Sequence, residues 1–168
     1  MTHPNESTTR KPVPKKSRLV VVAGSPGAGK STYIKNKLVP LGHHIFDDFL
    51  ADAVCDIGDM CHSRHHNELI AKLKNGENCV IADIKFSQKG HQQDIKSFVE
   101  THFEKEKFNI EIEWHCFEKS KVLCVKNAQY RNAEKLIRQI ELINELDKGY
   151  TVPDKAVIIK TKDASTKN

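Results

Sequence analysis

The segment VVAGSPGAGKST, residues 21–32, begins as an apolar run, breaks into Gly24, Gly27 and Gly29, and ends on Lys30, Ser31 and Thr32. From Gly24 to Ser31 it satisfies the pattern G-x-x-x-x-G-K-[ST] in full. Glycines reach backbone conformations closed to other residues and let the main chain come close to an anion. Successive N–H groups of such a loop point inward as an anion nest. The helix that follows adds the positive end of its dipole. Gly24, Ser25, Pro26, Gly27, Ala28, Gly29, Lys30, Ser31 and Thr32 are therefore expected to cradle the phosphates of a nucleotide, taken here as ATP. Lys30 is placed to reach the β and γ phosphates, and Ser31 to offer its hydroxyl to Mg²⁺.

Outward from this loop, strand and helix signals alternate. Leu19 to Ala23 is a continuous, β-branched run, as in a strand buried on both faces. A helix is expected from the end of the loop to about Val39, stopping before Pro40. His44–Phe46 reads as a short strand, and residues from Asp48 to about Asn75 as mostly helix, with a possible break at Gly58 and a stop at Gly76. Cys79–Ala82 is the next buried strand. Gln88–Phe103 is an amphipathic helix with Ile95, Phe98, Val99 and His102 at helical spacing. Asn109–Phe117 alternates as a strand, Lys119–Leu146 is helical in one or two pieces, and Ala156–Ile159 is a last strand. This alternation predicts a parallel α/β sheet with helices on both faces.

The chain has 168 residues, 38% hydrophobic and 29% charged, with a net charge of +5. That suits one globular domain and an acidic partner such as a nucleotide. No apolar run is long enough to span a bilayer, and no signal peptide is read, so membrane association is not expected. Five cysteines without a CxxC pair fit reduced thiols and a cytoplasmic location. Residues 1–17, polar and basic with three prolines, read as a disordered tail; residues 18–161 as the folded domain; residues 162–168 as a second tail.

Two acidic positions follow expected strands. In a parallel sheet the C-terminal strand ends share the edge that carries the glycine loop. Asp47, directly after the second strand, would sit near the γ phosphate, where phosphoryl transfer to a hydroxyl needs a carboxylate to orient the nucleophile and accept its proton. Asp48 is the second choice, its bland alternative being a place in a helix N-terminal turn. Asp83, after the third strand, is placed to help Ser31 hold Mg²⁺. Lys85 could meet a substrate phosphate.

GSPGAGKST, FDDF, the helix ending in LKNGENCVIAD, and LCVKNAQYRN together resemble the P-loop kinases related to polynucleotide 5′-hydroxyl kinase and zeta-toxin-like kinases. The resemblance spans about residues 18 to 160. It implies a three-layer sandwich around a five-stranded parallel sheet of order 2-3-1-4-5. It also implies that Asp47 is the general base. In such kinases a late helical segment carries basic residues on a lid over the phosphates, and the matching stretch here offers Arg131 to stabilise the transferring group and Lys126 as its helper. Two departures lie on the acceptor side. Phe49 is followed by Leu50, where polynucleotide kinases usually carry an arginine that grips the acceptor phosphate. Asp83 is followed by Ile84 and Lys85 in place of the frequent Thr and Asn.

CHSRHHNE, residues 61–68, places Cys61 and His65, and His62 and His66, on shared faces if the segment is helical. A zinc site would need further partners from elsewhere in the chain. The segment could instead flank the acceptor, with Arg64 as a phosphate ligand, or form a hydrated surface. The expected function is Mg²⁺-ATP-dependent transfer of the γ-phosphoryl group to a hydroxyl of a nucleic-acid end, nucleotide or related acceptor. The alternatives are a small-metabolite, nucleotide-sugar or antibiotic kinase, and an NTP-binding switch that transfers nothing.

Overall fold

Leu19, Val21 and Ala23 pack into one apolar cluster while Val20 and Val22 pack into another, so consecutive residues of one strand feed cores on both sides of a sheet. The computed structural model describes residues 10–51, 58–131 and 134–166. Strand β1 (Lys15–Ala23) is flanked by β3 (Cys79–Asp83) and β4 (Phe108–Phe117), with β2 (His44–Phe46) and β5 (Val157–Ile159) at the edges. All pairings are parallel, in the order β2-β3-β1-β4-β5. The expected sheet and its order are observed.

One face is covered by α2 (His66–Lys74) and α3 (Lys89–His102), which supply Leu69, Leu73, Ile95 and Phe98 to a core with Phe46, Phe49, Leu50 and Phe86. The other is covered by the helix that follows the phosphate loop and by α4 (Lys121–Tyr130) and α5 (Leu136–Gly149). They contribute Ile34, Leu38, Cys124, Ala128 and Ile143. Fully burying an aliphatic side chain of this size stabilises by about 1.5–3 kcal/mol.

The first helix departs from its expected end. It runs as α1 (Lys30–Tyr33), continues as a π-helical turn (Ile34–Leu38) and closes with a 3-10 turn (Val39–Leu41) before Gly42 at φ 80°. Pro40 is accommodated because it sits at the start of that last turn, where its missing N–H has no bond to make.

Among the described residues, the stretch 48–75, expected as mostly helix with a break at Gly58, is largely irregular, although Gly58 does stand in a turn at φ 98°. Residues 47–51 make a turn, with Asp48 in the left-handed region at φ 50°, and Phe49 donates its N–H to Ala82 O at 2.9 Å. Residues 52–57, including Cys55, lie outside the described residues. A 3-10 turn covers Asp59–His62, Ser63 is extended, and His66–Lys74 is the α-helix found among the described residues of this stretch. Burial of Phe49, Leu50, Met60 and Ser63 explains the irregular path. The Ser63 hydroxyl donates to Phe49 O at 2.7 Å, which favours a bend over a helical continuation.

Ordered hydrogen bonding also reaches into both segments expected as tails. β1 starts at Lys15, and buried Ser17 donates from Oγ to Leu73 O at 3.2 Å. At the other end Ala164 N donates to Asn127 Oδ1 at 2.7 Å. Residues 1–9 of the N-terminal segment lie outside the described residues. Among the described residues no helix is long and apolar enough to cross a membrane.

Candidate active site

The register fixes the acids around the loop. Ala23, the last residue of β1, pairs with Asp83, and Phe46, the last of β2, pairs with Ile81. Asp83 and Asp47 therefore stand on the sheet edge from which residues 24–29 rise. Three of the loop's features need glycine. Gly27 has φ 78° and its absent Cβ would lie 2.5 Å from Cys124 O; Gly29 has φ 102°; a Cβ on Gly24 would press on Phe117 at 3.0 Å. The loop is thus seated against the N-terminal half of α4 and the end of β4.

Lys30 is enclosed at the base of the loop. Its Nζ donates to Gly24 O at 2.9 Å and to Ser25 O at 3.1 Å. Burial lowers its pKa, opposed by the attraction of Asp83, Asp47 and Asp48. The Ser31 hydroxyl donates to Asp47 Oδ2 at 2.7 Å, and Asp48 N donates to Asp47 Oδ1 at 3.0 Å. Asp47 is thereby held at both oxygens beside the loop. Asp48 is not a helix cap; burial, then Asp47 and Asp83, raise its pKa, against Lys30 and Arg64. Asp83 is buried and accepts from Leu50 N at 2.8 Å and Lys85 N at 3.0 Å. Its carboxylate ties the turn after β2 to the end of β3. Lys85 Nζ reaches Leu50 O at 3.1 Å.

The donor set fits a hard cation, which prefers oxygen ligands and carries several of its own waters. Oxygen donors of this kind, Ser31 Oγ and the Asp83 carboxylate, stand near Lys30 beside a loop whose glycines leave room for phosphate oxygens, with Asp47 next to Ser31. The two backbone bonds on Asp83 use only part of its acceptor capacity.

On the other side of the loop lies a cavity of about 220 Å³, lined among others by Gly29, Thr32, Tyr33, Phe117, Arg131 and Lys160. Arg131, expected from the sequence, is at this mouth, on the C-terminal end of α4. Lys126 instead forms an ion pair with Asp163. That contact, with Ser165, pulls the Asp163 carboxyl down to about 2. The residue that sequence reasoning passed over is Asn127, which is buried. Its Nδ2 donates to Gly27 O at 2.9 Å and Lys162 O at 2.8 Å, so one amide joins the loop, α4 and the segment after β5. Two of its partners, Lys162 and Ala164, lie in the segment expected as a tail, and no local pattern marked Asn127.

The histidines separate. His65 packs on Phe46 and Phe49, with ring centroids at 5.3 and 6.1 Å, and accepts from Arg64 Nε at 3.1 Å. His66 turns away toward α3, and His62 is exposed. The segment is a 3-10 turn and a bend rather than one helix, so the helical spacing expected to put Cys61 with His65 and His62 with His66 on shared faces is lost.

No family model matches the sequence, and no match is found among curated proteins. Solved structures do match. A gluconokinase from Sinorhizobium meliloti 1021 superposes with a TM-score of 0.58 at 10% identity, covering 89% of this chain and 85% of its own. A fungal RNA kinase gives 0.58 at 14% identity, covering 93% and 80%. A chain of the Pnkp1/Rnl/Hen1 RNA repair complex gives 0.50 at 19%, covering 88% and 51%. The sheet order, the phosphate loop at the end of β1 and these superpositions show that the chain has the α/β fold of P-loop kinases.

Proposed function

We propose that the protein is a Mg²⁺-ATP-dependent kinase that transfers the γ-phosphoryl group to a hydroxyl of a nucleic-acid end, nucleotide or related acceptor. The observation that carries this reading is the contact of Asp47 with Ser31, next to Lys30, at the mouth of a complete phosphate loop. A carboxylate in that position can accept the proton of an incoming hydroxyl as its oxygen bonds to the γ phosphorus and the bond to the β–γ bridging oxygen breaks, releasing ADP. Lys30 and the loop N–H groups would hold the phosphates, Ser31 and Asp83 the Mg²⁺, and Arg131 would offset charge on the transferring group. Catalysis of this kind is positioning and electrostatics. The cavity beside Thr32, Tyr33 and Arg131 offers the nucleoside a place.

A second reading for the acceptor follows from Leu50. It is fully buried, so the position that grips an acceptor phosphate in polynucleotide kinases faces the core here. That favours a small hydroxylated metabolite. The test is transfer from γ-labelled ATP to a panel of 5′-hydroxyl oligonucleotides, nucleosides, nucleotide sugars and small polyols, with Asp47→Asn as control. The expected result is one labelled acceptor class, and a fall of about 10²–10⁴-fold in kcat for the variant. Tight ATP binding with no labelled product in any class would defeat the kinase reading.

A further inference from the structure

We propose that Cys61, His66 and His102 form a binding site for one thiophilic divalent cation of the zinc type, separate from the phosphate loop. The three residues come from three elements: the 3-10 turn Asp59–His62, the first residue of α2 and the last residue of α3. Their ligand atoms all lie within 4.8 Å of one another. Bonds of about 2.3 Å to sulfur and about 2.0–2.1 Å to nitrogen in a tetrahedron set one sulfur and two nitrogens roughly 3.3–3.6 Å apart. Closing the remaining distance requires side-chain rotation at one exposed cysteine and two half-buried rings.

The surroundings are those of a ligand set. His66 Nδ1 lies 3.1 Å from Met60 O. A carbonyl only accepts, so Nδ1 carries the hydrogen and Nε2 keeps its lone pair for a metal, the arrangement that usually orients a ligating imidazole. The His66 and His102 rings meet at 5.0 Å, and Phe98 packs on both, at 5.4 and 5.0 Å, giving the two nitrogens an apolar wall. Cys61 forms no disulfide and is exposed, which leaves the fourth coordination position open to water. One thiolate and two imidazoles select a borderline or soft ion over Mg²⁺, so the site would not compete with the phosphate loop for its metal. On binding, the Cys61 S–H proton passes to solvent as the sulfur–metal bond forms.

The bound ion would staple the segment after Asp47 to α3. That segment is already tied to the active-site turn by Ser63 Oγ to Phe49 O and to α3 by Gly58 N to Asp94 Oδ2 at 2.7 Å. Its effect would be to order the acceptor side of the fold.

The experiment uses the reduced 168-residue chain stripped with a chelator. Zn²⁺ is titrated in competition with a chromophoric chelator, and Co²⁺ is added separately as a spectroscopic probe. The expected result is one ion per chain, with a thiolate-to-Co²⁺ charge-transfer band and the intense visible bands of a tetrahedral site. Cys61→Ser should lose the charge-transfer band, and His102→Asn should weaken Zn²⁺ binding by more than the roughly 10- to 100-fold that losing an outer-shell partner costs. His62→Ala, at an exposed neighbour, should change neither. Cys61 is exposed, so Cys61→Ser should match the parent in thermal melting with chelator present. Absence of binding, an octahedral spectrum without the thiolate band, or binding that survives both ligand variants would overturn the proposal.

Discussion

Gly27 shows how narrowly a single position of the phosphate loop is specified. Its φ of 78° is unfavourable for any residue with a Cβ, and the absent Cβ would collide with Cys124 O at 2.5 Å. The Cβ is fixed in place by the backbone and its partner is a backbone carbonyl, so neither can rotate away. Gly27→Ala is expected to destabilise the fold by about 1–3 kcal/mol through backbone strain alone. It should also weaken ATP binding, because the loop must shift off α4 to relieve the clash. A urea titration and an ATP-binding isotherm on the same variant check both effects. Unchanged stability would mean that the loop already moves freely against α4. This position was legible in the sequence from the motif, as were Lys30 and Ser31. Asp47 was legible from its place after a strand, and it does lie beside Ser31. The sequence did not reveal that Leu50 is wholly buried, since an apolar residue after an aromatic fits a helix face as well as a turn folded onto the core.

At the scale of elements, the central strands β1, β3 and β4 were readable because burial on both faces demands uninterrupted or alternating apolar runs. The stretch between β2 and β3 was not. Its apolar residues approximate a helical period, yet Asp83 fixes its start through Leu50 N, and Ser63 bends it through Phe49 O. Those bonds span 33 and 14 residues and leave no local signature. The same reason hid Asn127, which holds α4 to Gly27 and to the chain after β5. Asn127→Ala removes two donated bonds and the acceptor for Ala164 N, and leaves the buried Gly27 carbonyl without this partner. An unsatisfied buried group costs about 1–3 kcal/mol, so a loss of about 2 kcal/mol or more is expected. Because the amide sets the loop's seat, ATP affinity should fall together with stability. Asn127→Asp, which keeps the acceptor but not the donors, should still lose the bonds to Gly27 O and Lys162 O and should not rescue ATP binding. Rescue would place the weight of this residue on Ala164 rather than on the loop.

For the molecule as a whole, the question is whether nucleotide binding and phosphoryl transfer can be separated. Lys30 is a half-buried cation among Asp47, Asp48 and Asp83, held on two carbonyls of its own loop. Phosphates offer it a stronger partner than those carbonyls, so binding should favour the folded state and be visible as stabilisation. A ligand at a hundredfold excess over its Kd adds about 2.7 kcal/mol. For a chain of this size that corresponds to a rise in Tm of roughly 5–10 °C. Mg²⁺-ATP should produce such a rise in the parent protein and in Asp47→Asn, since the asparagine still accepts from Ser31. Lys30→Ala should abolish it. Transfer to a hydroxyl, in contrast, should fail in both variants. If Asp47→Asn also loses the thermal shift, the carboxylate is needed to hold the metal–nucleotide complex, and the general base must be sought elsewhere, with Asp48 the first candidate. A shift retained in Lys30→Ala would mean that the loop N–H groups suffice for binding and that the lysine acts only on the charge that develops during transfer.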